Sequence, residues 1–358
     1  MDSRRARLRE AADRRYDVIV IGGGINGAGI ARDAAERGLA VLLLDQEDWG
    51  FGTTWRSTKL IHGGLRYLEH GELGLVFESL RERGVLLRTA PHLVRPLPFL
   101  LPVYRNGRRG MATLRLGLTL YDLLAVGGGL PRHRAMSVSA TAAAEPRLDR
   151  SGLRGGLAYW DGQVELPERL CLENVLRARE AGATALSYVR VERLEVAGGR
   201  VGGVSATDTR GGESYEMQAS LVVNAAGPWV DRVLRPAVTR QRLIAGTRGT
   251  HLVVQFPDGG PRQAIYAEAD RDGRPFFIIP WRGVHLIGTT DVPVEDPEAT
   301  LPSDDEVDYL IEAARTILPG ECLERADVWY AYAGIRPLPA GDRRNAGAIP
   351  RRHYIVDH

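Results

Sequence analysis

Residues 16–48 read YDVIVIGGGINGAGIARDAAERGLAVLLLDQED, and this stretch decides the fold. DVIVI is apolar enough for a strand buried on both faces, INGAGIARDAAERG has helical periodicity, and VLLL is a second buried strand. Together they form a βαβ unit whose turn carries Gly22, Gly24 and Gly27 in GxGxxG order. In such a turn the first glycine permits a tight bend, the second lets a pyrophosphate approach the backbone, and the third packs helix on strand. The helix N-terminus then turns its partial positive charge toward the phosphates. Asp45 ends the second strand 18 residues after Gly27, where a carboxylate accepts the ribose hydroxyls of an adenosine. GxGxxG alone is a weak signal, but strand, turn, helix, strand and acid in this order point to a dinucleotide site.

Working outward, residues 50–74, GFGTTWRSTKLIHGGLRYLEHGELG, are polar and aperiodic, a length and composition that mark a functional loop. Thr53, Thr54, Ser57 and Thr58 offer hydroxyl donors to a bulky diphosphate. Helical periodicity returns from Leu75 to Leu87, and the prolines of APHLVRPLPFLLPVY at 90–104 favour extended backbone crossing between domains. MATLRLGLTLYDLLA at 111–125 is one helix, packed in a core or lying as a surface helix in a membrane interface. Residues 184–223 alternate as a β-meander followed by one more buried strand, which a minimal nicotinamide domain does not need and which therefore favours FAD over NAD. HLVVQF, RPFFIIPW, VHLIGTTD and VWYAYAGI then read as an antiparallel sheet, with a helix over 304–317 started by Ser303.

Composition agrees with a multi-domain globular protein: 358 residues, 44% hydrophobic and 26% charged. A net charge of +2 argues against a dedicated nucleic-acid binder. Cys171 and Cys322 stand without partners at metal or disulfide spacing, so no metal is expected and a reducing, cytoplasmic compartment fits. The first 15 residues lack the apolar core of a secretory signal. Lys59 is the only lysine, consistent either with a site needing a compact ammonium or with skewed codon usage.

RSTKLIHGGLRYLEHGE (56–72), together with the N-terminal glycine turn, the proline-rich segment, NAAGPWVD (224–231), IIPW, GTTD and GIRPL, runs in the order of the FAD-dependent glycerol-3-phosphate dehydrogenases, a D-amino-acid-oxidase-like flavoprotein family that this chain resembles over nearly its whole length. The resemblance implies an α/β protein: a Rossmann-like FAD-binding domain of the glutathione-reductase type, at 1–89 and 155–243, with an antiparallel-sheet substrate domain at 90–154 and 244–338. Residues 339–358 would begin the return to the first domain. It also implies oxidation of sn-glycerol 3-phosphate to dihydroxyacetone phosphate, with electrons passed to a quinone or, in oxidase relatives, to oxygen. The setting would be a cytoplasmic protein, peripheral on the inner face of the cell membrane; an oligomer stays open.

Carried over by position, Lys59 and Leu60 with the hydroxyls before them line the FAD, while His62, Arg66 and Tyr67 face flavin and substrate. Arg66, Arg336 and Arg351 match arginines around the substrate phosphate, Ala226 and Gly227 a cofactor-proximal segment, and Val189 the backbone that meets adenine. The chemistry suits these types: a histidine takes the hydroxyl proton near neutral pH, and guanidinium forks fit a phosphate dianion. Two departures stand out. Glu165-Leu166-Pro167-Glu168 replaces the family's paired aspartates followed by Ala-Arg-Leu, which keeps open an oxidase of another hydroxy or amine substrate. A C-terminal Gly-Gly-Lys-Leu-Thr-Thr-Tyr-Arg segment of the family is absent, so a truncated chain, or a non-catalytic flavin-fold protein, is the further expectation.

Overall fold

The computed structural model describes residues 2–125, 127–235, 241–340, 353 and 355–358. Two sheets organise them. In the first, the strands run in the order Thr184–Leu186, Val41–Leu44, Arg15–Ile21, Ser214–Asn224, Arg200–Asp208, Val189–Ala197. The first four are parallel and the last two close an antiparallel meander. Meander and returning strand are not separate elements, as the sequence reading had it. Ser214–Asn224 pairs with the meander through Gln218 and with Arg15–Ile21 from Gln218 onward.

The continuous apolar run of the first strand is explained by what lies on each side. Val18 and Val20 face Ala28, Ala31 and Ala35 of the helix Ile25–Glu36 and Cys171, Val175 and Ala178 of the helix Pro167–Glu180. Ile19 and Ile21 face Leu194, Val204, Ala206 and Met217 of the meander. The same face is covered by an N-terminal helix, Asp2–Asp13, which buries Leu8 and Ala11 and is anchored by Arg4 on Asp208 and on the Ser187 and Tyr188 carbonyls. The opening residues thus have a structural task that their charged composition concealed.

The second sheet has ten strands, with Val94–Tyr104, Leu153–Val164, Ile244–Val254 and Val328–Pro339 the longest, and it is antiparallel except where Ala264–Glu268 runs beside Val94–Tyr104. Leu153–Val164 pairs along the whole of Val94–Tyr104, which places residues 155–164, expected in the cofactor domain, in this sheet instead. Pro96, Pro98 and Pro102 are spaced by even numbers, so their missing N–H groups share one edge and the other edge can carry that long ladder. The helix Asp304–Ile317 packs Leu310, Ile311, Ala314 and Ile317 on one face. Met111–Leu124 buries Leu118 and Tyr121 at the other, leaving Leu116 and Leu123 72% and 63% exposed. It is an amphipathic surface helix. Among the described residues no helix is long and apolar enough to cross a membrane.

Candidate active site

The phosphate turn lies at the carboxyl ends of the parallel strands. Gly22 has φ +102°, and a Cβ there would lie 2.6 Å from the Ala225 carbonyl oxygen, while one on Gly27 would lie 1.8 Å from the Gly22 carbonyl oxygen. These two glycines are required by the protein's own backbone. Gly24 is different: a Cβ would meet only Thr54 Oγ1, at 3.3 Å, so the space beside it suits an incoming group. Gly24 caps Ile25–Glu36 with no side-chain bond of its own, and the Ile25 N–H donates to Thr54 Oγ1 at 3.1 Å.

Asp45 Oδ2 accepts the Gly23 N–H at 2.5 Å and Oδ1 accepts the Glu47 N–H at 2.8 Å, which leaves a further lone pair on each oxygen for ribose hydroxyls. Burial pushes this carboxyl up to about 6, against the pull of the two amide bonds. The Val189 N–H donates to the Asp45 carbonyl at 2.7 Å, and the Ala226 N–H to Asn224 Oδ1 at 3.2 Å. Gly22, Gly24, Gly27, Asp45, Thr54, Val189 and the Ala226–Gly227 turn therefore converge, and a glycine cradle beside a buried acid fits an adenine dinucleotide.

The loop is tied to the second sheet through the Thr53 and Thr58 hydroxyls and the Ser57 carbonyl. Thr53 donates to the Ile335 carbonyl at 2.6 Å, Tyr332 donates to the Ser57 carbonyl at 2.9 Å, and Thr58 Oγ1 is 2.9 Å from His251 Nε2. The Thr53 proton, expected to serve a diphosphate, is spent on a strand. Lys59, at φ 61° and only 3% exposed, donates to the Trp55 carbonyl and sits 5.4–5.9 Å from the rings of Trp55, Trp281 and Tyr332. Burial lowers its ammonium to about 8, with Glu168 pulling the other way.

Leu60 and Ile61 pair with Gln163 and Gly162, delivering His62 to the edge of the second sheet. His62 Nδ1 accepts the Gly64 N–H at 3.0 Å, so the neutral ring carries its proton on Nε2. Arg66 lies on the short helix Leu65–His70, close enough to Tyr266 to act on its phenol. Tyr67 folds back over Gly64 and joins Val76, Leu80 and Tyr121 in a small cluster. His62, Arg66 and Tyr67 thus lie on one short segment, each with different neighbours.

Arg336 belongs to a second group, with Lys59 and His251. Its guanidinium donates to Thr289 Oγ1 at 2.9 Å, to the Thr290 carbonyl at 3.2 Å and to Asp291 at 3.2 Å. Arg66 and Arg336, both expected at the substrate phosphate, sit on different elements with different partners; Arg351 lies outside the described residues. The sequence reading missed His251, which is stacked on Tyr332 at 5.0 Å and held neutral by burial with Arg336 and Lys59 beside it, its pKa lowered to about 3. It singled out Glu168 as a departure without foreseeing that this acid acts on Lys59 in the aromatic box, and it missed the buried trio Arg83, Asp161 and Tyr121. An acid inside the largely apolar run GGLAYWDG of the strand Leu153–Val164 was the available signal for the trio.

The description "FAD dependent oxidoreductase" matches residues 17–357. A Synechocystis sp. protein named glycerol-3-phosphate dehydrogenase is 46% identical over 355 residues, covering 96% of this chain and 64% of that protein. One from Staphylococcus haemolyticus, named aerobic glycerol-3-phosphate dehydrogenase, is 38% identical over 343 residues, covering 95% of this chain and 61% of its own length. The solved structure of glycerol-3-phosphate dehydrogenase from Bacillus halodurans, complexed with FAD, superposes with a TM-score of 0.79 at 32% identity, covering 94% of this chain and 60% of that one. The chain thus spans 61–64% of the length of the two curated relatives. Because that match extends from the first strand to beyond the second sheet and the glycine cradle fits the cofactor, this chain belongs to the FAD dependent oxidoreductase family, with FAD as its cofactor.

Proposed function

We propose that the whole protein oxidises sn-glycerol 3-phosphate to dihydroxyacetone phosphate and passes the electrons to a quinone. The observation that carries this reading is the delivery of His62, Arg66 and Tyr67, on one short segment, from the loop that follows Val41–Leu44 and Asp45. When bound, FAD would supply, at flavin N5, the two-electron acceptor for the hydride leaving substrate C2. The protein must take the hydroxyl proton and hold the phosphate. His62 takes the proton once its ring turns off the Gly64 N–H, which frees a lone pair. Arg66 supplies a guanidinium to the phosphate, and Arg336 joins it by exchanging Asp291 for the dianion. Arg351 is assigned to the same phosphate. The names of the relatives at 46% and 38% identity support this substrate over an amine.

Quinone is a membrane substrate, and the exposed Leu116 and Leu123 of Met111–Leu124, with Leu73 and Phe77 of Leu73–Thr89, support docking on the inner face of the cell membrane. The test of function is anaerobic bleaching of bound FAD by glycerol 3-phosphate beside a panel of amines and hydroxy acids. Bleaching by glycerol 3-phosphate alone is expected; bleaching by a panel member instead would replace the substrate.

A further inference from the structure

Three buried polar side chains from three elements meet behind the His62 turn. Arg83 comes from the helix Leu73–Thr89, Tyr121 from Met111–Leu124 and Asp161 from the strand Leu153–Val164, and they are 1%, 2% and 3% exposed. Arg83 Nη1 donates to Asp161 Oδ1 at 2.5 Å, and the Tyr121 hydroxyl donates to Asp161 Oδ2 at 2.9 Å. The Gly63 N–H donates to the Tyr121 oxygen at 2.7 Å. A phenol has one proton, and the carboxylate takes it; the lone pair that remains is aimed at the turn. Donation along the row therefore converges on Asp161, from Gly63 through Tyr121 on one side and from Arg83 on the other.

Stability does not account for this arrangement. A buried ion pair contributes little over an apolar replacement of the same volume, and here Arg83 Nε is buried without a hydrogen-bond partner among the described residues. What the row does determine is where residues 62–64 lie. A Cβ on Gly63 would come 2.3 Å from Leu80 Cδ2 and 2.7 Å from the Tyr121 oxygen, and Gly64 turns left-handed at φ 69°, so the turn has one seat and the phenol is its floor. The next amide, Gly64 N–H, holds His62 Nδ1 at 3.0 Å in the resting ring, so the seat also fixes the point from which that ring turns to take a proton.

We propose that Tyr121, held by Asp161 and Arg83, is the positioning residue that sets the His62 turn for proton transfer. Its catalytic consequence rests on the glycerol-3-phosphate reading; its structural content does not. A displacement of about 1 Å at a reacting group costs about a hundredfold in rate, so loss of a single hydroxyl beneath the turn is large enough to measure.

The test compares Tyr121→Phe with Tyr159→Phe, a like change at a buried phenol whose ring meets Tyr121 edge-on at 6.4 Å. Two quantities are read in the full chain: hydrogen exchange at Gly63, and flavin reduction by glycerol 3-phosphate. For Tyr121→Phe, exchange at Gly63 is expected at least about tenfold faster. Flavin reduction at saturating substrate is expected at least about tenfold slower, with half-saturation changed less than about threefold and FAD retained. Tyr159→Phe should leave both near wild type, and Asp161→Asn should shift both in the direction of Tyr121→Phe. Unchanged exchange and rate in Tyr121→Phe, or equal losses in both tyrosine variants, overturns the proposal. If wild type does not bleach, the substrate reading fails, and exchange at Gly63 alone then decides this one: faster exchange in Tyr121→Phe upholds it, identical exchange overturns it.

Discussion

Each glycine of the phosphate turn has its own neighbour, and the neighbours separate two roles that one motif conceals. Gly22 and Gly27 are closed in by backbone, whereas Gly24 faces space beside Thr54. Gly24→Val is therefore expected to fold with an unfolding midpoint near wild type yet purify without FAD, because the added carbons take the place of the pyrophosphate. Gly27→Ala is expected to lose the fold as well, its Cβ pressing on the Gly22 carbonyl. Thermal unfolding and the flavin absorbance of the purified variants check both. A flavin-loaded Gly24→Val would remove this turn from the phosphate site.

At the scale of the element, Asp304–Ile317 shows how a local start signal is built into a tertiary junction. Ser303 and Glu306 form a capping box, with Glu306 Oε2 accepting the Ser303 N–H at 3.1 Å. The same carboxylate accepts Thr250 at 2.8 Å and Thr290 at 2.7 Å and pairs with Arg248 at 2.6 Å. Burial pushes this carboxyl up, but the bonds from Thr290, Ser303 and Thr250, with Arg248 beside them, together outweigh it and hold it below the usual range. Ser303→Ala removes only a cap and should cost about 1 kcal/mol. Glu306→Ala strands a half-buried arginine and two buried hydroxyls and should cost about 3–5 kcal/mol. Urea unfolding of the two variants compares them directly; equal losses would reduce Glu306 to a cap.

For the whole molecule, the seam between the two sheets carries the charges that make its stability depend on pH. His251 lies in that seam beside Thr58, Lys59 and Arg336, and its pKa falls from the ordinary value of 6.5 to about 3. A depressed imidazole means that the unfolded chain binds a proton that the native chain refuses, so stability is full above 6.5 and declines as pH falls toward 3. Integrated over that window the effect is about 4–5 kcal/mol. His251→Gln is expected to flatten the decline of unfolding free energy between pH 6.5 and 4 relative to wild type; parallel curves would mean that the ring is protonated in the native state.

What the sequence by itself determined is what short-range periodicity and stereochemistry encode. The βαβ unit, the glycine turn, Asp45 at the strand end and the helix begun at Ser303 each depend on residues a few positions apart, so pattern and geometry coincide. The family-specific run from Arg56 to Glu72 pointed to the family, though not to where each side chain goes. Only the tertiary structure decided that Thr53 serves Ile335, that Glu168 faces Lys59, that residues 155–164 belong to the second sheet, and that Tyr121 underlies Gly63. Those partners are far apart in the chain, 282 residues for Thr53 and Ile335 and 58 for Gly63 and Tyr121. No local pattern records such a pairing, because a hydroxyl or carboxylate can satisfy itself with water, backbone or side chain equally well until packing removes the water and leaves one partner in reach.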